Sequence, residues 1–415
     1  MTTMRTYDGK TALADTMAGL TVAMVALPLA MAIAIASGVE PGVGLVTAVI
    51  AGFLISALGG SRFQVGGPTG AFIVVVYSVI EKHGVDGLVT ATLMAGAILV
   101  VAAYLRAGSL MRHIPESVIN GFTTGIAVII AASQLKDFLG LTTGNLPADL
   151  IPKVEALWAA RDSFSLVALA VALSTVALIT LLRRAFPRFP GLLVAVAAVS
   201  AAVAVFHLPV DTIGSRYGGI PAMLPAPHLP DLSIDRIREL LPSAFIIAFL
   251  AGIESLLSAI VADRMGKGAH RANPELLAQG LANIASALVG GLPATGAIAR
   301  TATNIRAGGR TPVAGMMHAL FLLAFMMIAA PLASYLAMPA LAAVLMLTAW
   351  NMAEVEHIPQ RLRGRASDSV ILILTMVLTA FVDLTVAIGV GVALGLAVRM
   401  RRRNVPEAEW HTPDR

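Results

Sequence analysis

Two charged residues stand where a bilayer-crossing chain ordinarily carries none: Glu254 in Ala251-Gly252-Ile253-Glu254-Ser255-Leu256, and Arg300 in the stretch from Gly290 to Arg310. At the centre of a spanning helix either would cost about 2.5–3.5 kcal/mol on insertion scales, so both are expected to face the protein interior. Ser258 follows Glu254 by one helical turn on the same face, where a carboxylate and a hydroxyl together suit a cation or a proton. A structural alternative is an ion pair between Glu254 and Arg300 that ties two helices together. His318, deep in a later apolar run, reads as a hydrogen-bonded packing residue.

The stretch around Arg300 is too short and too polar to cross a bilayer alone. Gly290, Gly291, Pro293 and Gly296 break the backbone, and irregular backbone at membrane depth survives only where it is buried in protein or lines a cavity. It reads as a helix that starts inside the protein near Ala294 to Thr295, with Thr295 placed to cap it and its free N–H groups turned to a central space. Such an N-terminus attracts anions. A matching interruption, Gly66-Gly67-Pro68-Thr69-Gly70-Ala71, lies in the first half, and Thr-Gly-Ala recurs at an offset of 295 − 69 = 226 residues. Broken spans in corresponding halves point to a transporter's substrate site, although Thr69 and Thr295 could equally be plain helix caps. Subtracting the offset places Pro28 in the position that corresponds to Glu254.

The elements that hold these residues follow from composition. The chain is 57% hydrophobic and 13% charged with a mean hydropathy of +0.84, which is an integral membrane protein. The net charge of +5 is spread in ones, twos and threes between apolar runs, so it reads as topology and not as a nucleic-acid face. With no cysteine there is no disulfide, thiolate metal site or thiol nucleophile. No metal or cofactor beyond a coupling proton or sodium ion is expected. The spans carry no paired-carboxylate, His-cluster or nucleophile motif for an enzyme, and no Walker-type loop for an ATP-driven pump.

Hydrophobic runs and their boundaries predict fourteen all-α membrane segments, at 13–37, 42–59, 68–80, 87–105, 115–135, 163–182, 190–207, 239–261, 273–289, 294–306, 311–334, 337–352, 367–382 and 384–400. Arg5 and Lys10, Arg62, Arg106 and Arg112, Arg183 to Arg188, Arg264 to Arg271, Arg306 and Arg310, Arg361 to Arg365, and Arg399 to Arg403 then fall on one side, the cytoplasm by the positive-inside rule. Both termini are expected there, and the long loops Lys136 to Ser163 and His207 to Leu240 outside, in an inner (plasma) membrane protein. Seven segments lie in 1–207 and seven in 239–403, joined by the Pro-rich connection 208–238, so the second half is an inverted repeat of the first. Residues 404–415 read as a cytoplasmic tail. Asp15, Glu239, Glu275 and Asp368 lie near span ends where they reach the interface, Glu116 suits a helix start, and Glu40 and Asp383 read as solvated or capping. Gly391 and Gly395 have GxxxG spacing for close helix packing.

Several motifs in order make the chain resemble the SulP anion-transporter family of sulfate permeases, pendrin and prestin over essentially its whole length. They are Ala26-Leu27-Pro28-Leu29-Ala30-Met31-Ala32, Gly38 to Leu45, Gly66 to Phe72, Ile114-Pro115-Glu116-Ser117 through Thr123, Leu292 to Thr301, and Arg310-Thr311-Pro312-Val313-Ala314-Gly315. The resemblance implies fourteen segments in two inverted repeats, core and gate domains, and an anion held between the third and tenth segments. That places substrate near Thr69, Gly70, Ala71 and Phe72 on one side, and Thr295, Gly296, Ala297, Ala299 and Arg300 on the other. Glu254 matches the eighth-segment carboxylate that looks like the coupling-ion site of bacterial relatives, beside which Ser258 lies by helical spacing. Two departures stand out: Leu29 replaces the Gln common in relatives, and the sequence stops at Arg415, soon after Arg403, where relatives usually continue into a STAS domain, as expected of either a minimal member or a piece of a longer chain. The expected function is secondary transport of a small anion of the sulfate, bicarbonate or dicarboxylate class, coupled to protons or sodium. A passive channel and an anion exchanger are the alternatives, and a homodimer is an open expectation.

Overall fold

Two short extended pieces cross at the middle of an otherwise helical chain. In the computed structural model, which describes residues 7–108, 115–186, 190–266, 268–363, 365–382 and 384–401, β1 (Gly66–Gly67) pairs antiparallel with β2 (Thr295–Gly296) in the register Gly66↔Gly296 and Gly67↔Thr295. The first half supplies α1 (Gly9–Ala36), α2 (Pro41–Leu58), α3 (Ile73–Tyr104), α4 (Glu116–Leu139), α5 (Leu150–Ala159), α6 (Leu166–Ala185) and α7 (Gly191–Val205). The second half supplies α9 (Ile234–Gly266), α10 (Ala272–Leu288), α11 (Ile298–Arg306), α12 (Pro312–Ala333), α13 (Met338–Ala353), α15 (Ala366–Phe381) and α16 (Leu384–Arg401). The short helices α8 (Ile213–Tyr217) and α14 (Ile358–Leu362) lie in loops.

A helix occupies each of the expected segments, and local chemistry explains the boundaries. Asp8 accepts the Thr11 N–H at 2.8 Å to start α1, Pro41 opens α2, and Thr311 caps α12 ahead of Pro312. Gly84, at φ 72°, breaks α3 into two spans, as the gap between 68–80 and 87–105 requires. Among the described residues, eight helices are long and apolar enough to cross a bilayer, and shorter apolar helices lie over Gly191–Val205, Ala366–Phe381 and Val386–Gly395. Large apolar side chains such as Leu173, Leu181, Phe245, Ile328 and Leu332 remain exposed along them, as expected of a lipid-facing surface in this multi-pass membrane protein.

The helices sort into two packed groups. One unites α1, α2, α3, α9, α10, α11 and α12; the other unites α4, α6, α7, α13, α15 and α16. We call them core and gate. Small residues bring their backbones together. A Cβ on Gly96 of α3 would lie 2.7 Å from the Gly280 carbonyl of α10, and one on Gly391 or Gly395 would press on Val118 of α4 at 3.0 Å.

The long loops gather on one face. Arg216 in α8 bridges Asp137 and Asp211, each at 2.8 Å, and Lys136 Nζ donates to the carbonyls of Thr143 and Gly144 at 3.1 and 3.3 Å. The connection between the halves is shorter than its proline content suggests. α9 already begins at Ile234, with Pro242 inside its N-terminal part, where only one N–H is lost from the ladder.

Two acids expected at the interface are buried instead. Asp15 of α1 accepts from Arg310 N at 2.7 Å, Thr311 N at 3.2 Å and Thr311 Oγ1 at 2.5 Å, serving as a cap from another helix for α12. Glu275 of α10 accepts from Gly60 N at 2.8 Å, Ser61 N at 3.2 Å, Gln64 Nε2 at 2.8 Å and Gln279 Nε2 at 2.9 Å. Glu239, by contrast, is half exposed beside His83 and Arg236, and Glu40 is exposed at the start of α2. Asp383, Arg5, Arg112, Arg188, Lys267, Arg402, Arg403 and the 404–415 tail lie outside the described residues.

Candidate functional site

The crossing of β1 and β2 leaves two chain segments entering helices from the middle of the core. After β1, Thr69 is extended and leads through a 3-10 turn, Gly70–Phe72, into α3. After β2, Ala297 is extended and α11 begins at Ile298. The helix therefore starts four residues later than Ala294, because residues 295–296 pair with residues 66–67 and cannot also be helical. The backbone N–H groups of Gly70, Ala71, Ile298, Ala299 and Arg300 find no acceptor among the described residues, as at any helix start.

Neither threonine is a simple cap. Thr69 Oγ1 donates to Glu254 Oε2 at 2.8 Å. Thr295 Oγ1 donates to the Ala251 carbonyl at 2.9 Å and lies 2.8 Å from Ser255 Oγ, which in turn accepts the Gly296 N–H at 3.0 Å. Thus α9 holds both broken segments, the first through Glu254 and the second through Ser255. Glu254 and Thr69 are partly exposed while Gly70, Ala71, Phe72, Thr295, Gly296 and Ala297 are buried. Ala299, on the first turn of α11, is exposed. Glu254 and Thr69 therefore keep some accessible surface at the point where the spans are broken, while their chain neighbours are buried.

Arg300 does not pair with Glu254. Its guanidinium, 1% exposed, donates from Nη1 to the Gly66 carbonyl and from Nη2 to the Pro68 carbonyl, both at 3.2 Å, while Nε has no partner among the described residues. The ion pair that was the structural alternative is not made; the guanidinium is held by the carbonyls of the first broken segment instead. The charge lies directly beneath the backbone that carries Thr69. Gly67 permits this: at φ 148° its missing Cβ would stand 2.0 Å from Arg300 Nη1. Ser258 is not hydrogen-bonded to Glu254 either; its hydroxyl donates to Thr301 Oγ1 at 3.2 Å, and Thr301 Oγ1 accepts Val65 N–H at 3.1 Å. His318 is buried with both ring nitrogens lacking a partner among the described residues, so the expected hydrogen bond is not made.

Sequence reasoning missed the supports. On α10, Glu275, Gln279, Asn283 and Ser286 are fully buried and repeat at helical spacing. Asn283 clamps Ala294 through Nδ2 to its carbonyl at 2.8 Å and through Oδ1 from its N–H at 2.9 Å, and Ser286 donates to the Leu292 carbonyl at 2.7 Å. Polar residues every third or fourth position in an apolar helix were the available signal. On the gate side, a Cβ added to Gly70 would meet Met352 Sδ at 3.0 Å, with Ile130 and Thr348 at 3.7 Å. The close approach at Gly70 is thus to the gate helix α13, and at Gly296 it is to Gln64, whose Nε2 would lie 1.9 Å from a Cβ.

Comparison with known proteins agrees with this architecture. The sulfate permease family model matches residues 13–375. A putative sulfate transporter, YvdB of Bacillus subtilis, is 43% identical over 372 residues, 89% of this chain and 70% of the relative. The bicarbonate transporter BicA of Picosynechococcus is 30% identical over 381 residues, 89% of this chain and 67% of the relative. Among solved structures, the transmembrane domain of a cyanobacterial BicA superposes with a TM-score of 0.82 at 30% identity, covering 92% of this chain and 99% of that one. SLC26A9 shares the fold, with a TM-score of 0.86 at 19% identity over 97% of this chain and 68% of that one. The chain belongs to the sulfate permease family, whose members are membrane transporters and not enzymes.

Proposed function

We propose that the protein is a secondary active transporter of a small anion, held between Thr69 to Phe72 and Thr295 to Arg300, and moved by alternating access of core against gate. The observation that carries this reading is the β1–β2 crossing. It directs two sets of unpaired N–H groups into one region and lays the Arg300 charge under it, while Glu254 adjoins through Thr69. Sulfate, bicarbonate and dicarboxylates all satisfy that chemistry, and the names of the relatives favour the first two. Glu254 is the coupling position for a proton or sodium ion, as the only carboxylate bonded to a broken segment among the described residues. The two inverted repeats, 1–207 and 239–403, and the placement of both termini in the cytoplasm of a plasma membrane belong to the same reading. The placement of the long loops on one side is supported by the contact between them, Arg216 with Asp137, and by that within the first, Lys136 with Thr143.

Flux into proteoliposomes tests it. Each anion is offered with an imposed proton gradient, an imposed sodium gradient, or neither. Accumulation above equilibrium driven by one cation gradient supports coupled transport, whereas dissipative flux under all three conditions supports a channel.

A further inference from the structure

Lys153 is a lysine only 4% exposed, on a short helix in the long-loop face, where an unpaired lysine is seldom buried. Its Nζ donates to Ser133 Oγ of α4 at 2.9 Å and lies 5.8 Å from the centroid of the Tyr77 ring of α3. Ser133 is on the gate and Tyr77 on the core. Tyr77 is also seven residues, about two helical turns, beyond Gly70 on the helix that leaves the anion site. The loop before Lys153 reaches the same core helix twice more. Tyr77 Oη donates to the Leu146 carbonyl at 2.5 Å, and Ala148 N donates to Glu81 Oε1 at 3.3 Å. Because α5 and this loop connect gate helices α4 and α6, these three contacts fasten gate to core on one face of the molecule.

We propose that residues 142–149 and α5 form a latch closing the anion pathway on the long-loop face, and that the Lys153 ammonium between Ser133 and Tyr77 makes the latch respond to pH on that face. The proposal rests on the alternating-access reading above. Burial pushes the Lys153 amine down to about 8, against the smaller opposing pull of Glu81 on α3 and Asp149 at the start of its own helix. The other charged groups nearby point elsewhere: Lys136 on α4 is bonded to loop carbonyls, and Asp137 to Arg216. α15, also packed on α5, carries one titratable residue, Asp368, near its opposite end. Below this value the ammonium gives Ser133 a charge-assisted hydrogen bond, faces the Tyr77 ring as a cation and attracts Glu81; above it all three weaken together. Alkaline solution on the long-loop face should therefore loosen core from gate.

The test uses the full chain, which has no native cysteine. Ala71→Cys reports opening of the site toward the long loops, and Asp162→Cys, at a side chain 88% exposed, reports the reagent's access and thiol ionisation at each pH. Rates with an impermeant thiol reagent, taken as the ratio of the two, are compared for Lys153, Lys153→Arg and Lys153→Met from about pH 6.5 to about pH 9.5. The ratio should stay low throughout in Lys153→Arg and be about tenfold higher throughout in Lys153→Met, which has neither a charge nor a donor for Ser133 Oγ. With Lys153 it should cross from the first to the second near pH 8. Tyr77→Phe should raise the ratio at every pH and leave the crossing in place, a readout that needs no change at Lys153. Equal ratios in all backgrounds, while the cysteine-free Lys153, Lys153→Arg and Lys153→Met proteins, without Ala71→Cys, still take up anion, overturn the latch alone. Absence of both opening and uptake overturns the transport reading with it.

Discussion

Thr69 Oγ1 and Glu254 Oε2 are 2.8 Å apart, and this one hydrogen bond joins the carboxylate of α9 to the residue that precedes the first broken segment's turn. Any change in the charge of Glu254 is thereby felt one residue from Gly70. Glu254→Gln keeps a partner for Thr69 and removes the charge, so it should still exchange anion across the membrane. It should fail to accumulate anion when a cation gradient is the sole driving force. Thr69→Val should reduce exchange itself, and Thr69→Ser should restore most of it. A Glu254→Gln protein that concentrates anion as well as the wild type would make the carboxylate structural.

Gly67 leaves room for the Arg300 guanidinium at a backbone angle that side chains rarely adopt. Gly67→Ala should abolish uptake, since the methyl group would displace Arg300 from the Gly66 and Pro68 carbonyls. Insertion should survive, because the spanning helices are untouched. Uptake by Gly67→Ala at more than about a tenth of the wild-type rate, a loss of less than about 1.4 kcal/mol, would mean that Arg300 does not need that place.

Glu275 gathers four donors in a fully buried position and fixes the loop before β1 to α10. Glu275→Gln should destabilise the protein by about 2–3 kcal/mol, since charge-assisted bonds are lost and buried donors are left opposed. Thermal unfolding in detergent should show a lower midpoint. An unchanged midpoint would deny the carboxylate this role.

Much of this was legible in the residues. Proline, glycine and the ends of apolar runs marked the membrane segments, though not the short loop helices α5, α8 and α14, because a bilayer sets span length and every break needs a reason. The two interruptions were visible as Gly66 to Ala71 and Gly290 to Gly296. What they do was not, since β1 pairs with a segment more than 200 residues away and no local preference announces a two-residue strand. The same distance hid the burial of Asp15 and Glu275, whose partners are backbone N–H groups brought in by tertiary packing. Glu254 and Arg300 stood out as charges within apolar segments, but their partners, Thr69 and two backbone carbonyls, come from a distant segment that no local pattern announces.

Gly70 is where the core meets the gate, with Met352 Sδ 3.0 Å from the position a Cβ would take. Gly70→Val should abolish uptake, and Gly70→Ala should slow it by crowding Met352. Adding Met352→Ala to Gly70→Ala should recover part of the loss by opening that contact. If the double variant is no faster than Gly70→Ala alone, the crowding lies elsewhere in the site.

The most direct test of the central claim, that anion sits between the two broken segments, is substrate protection of a single cysteine at Ala297 in this cysteine-free chain. The alkylation rate of Ala297→Cys is measured in membranes against rising concentrations of whichever anion the flux screen identifies, with Asp162→Cys as an exposed reference. The account predicts that the anion slows alkylation at Ala297→Cys, with half-effect near the concentration that half-saturates transport, and leaves Asp162→Cys unchanged. Alkylation of Ala297→Cys that is indifferent to a saturating concentration of a transported anion would contradict it.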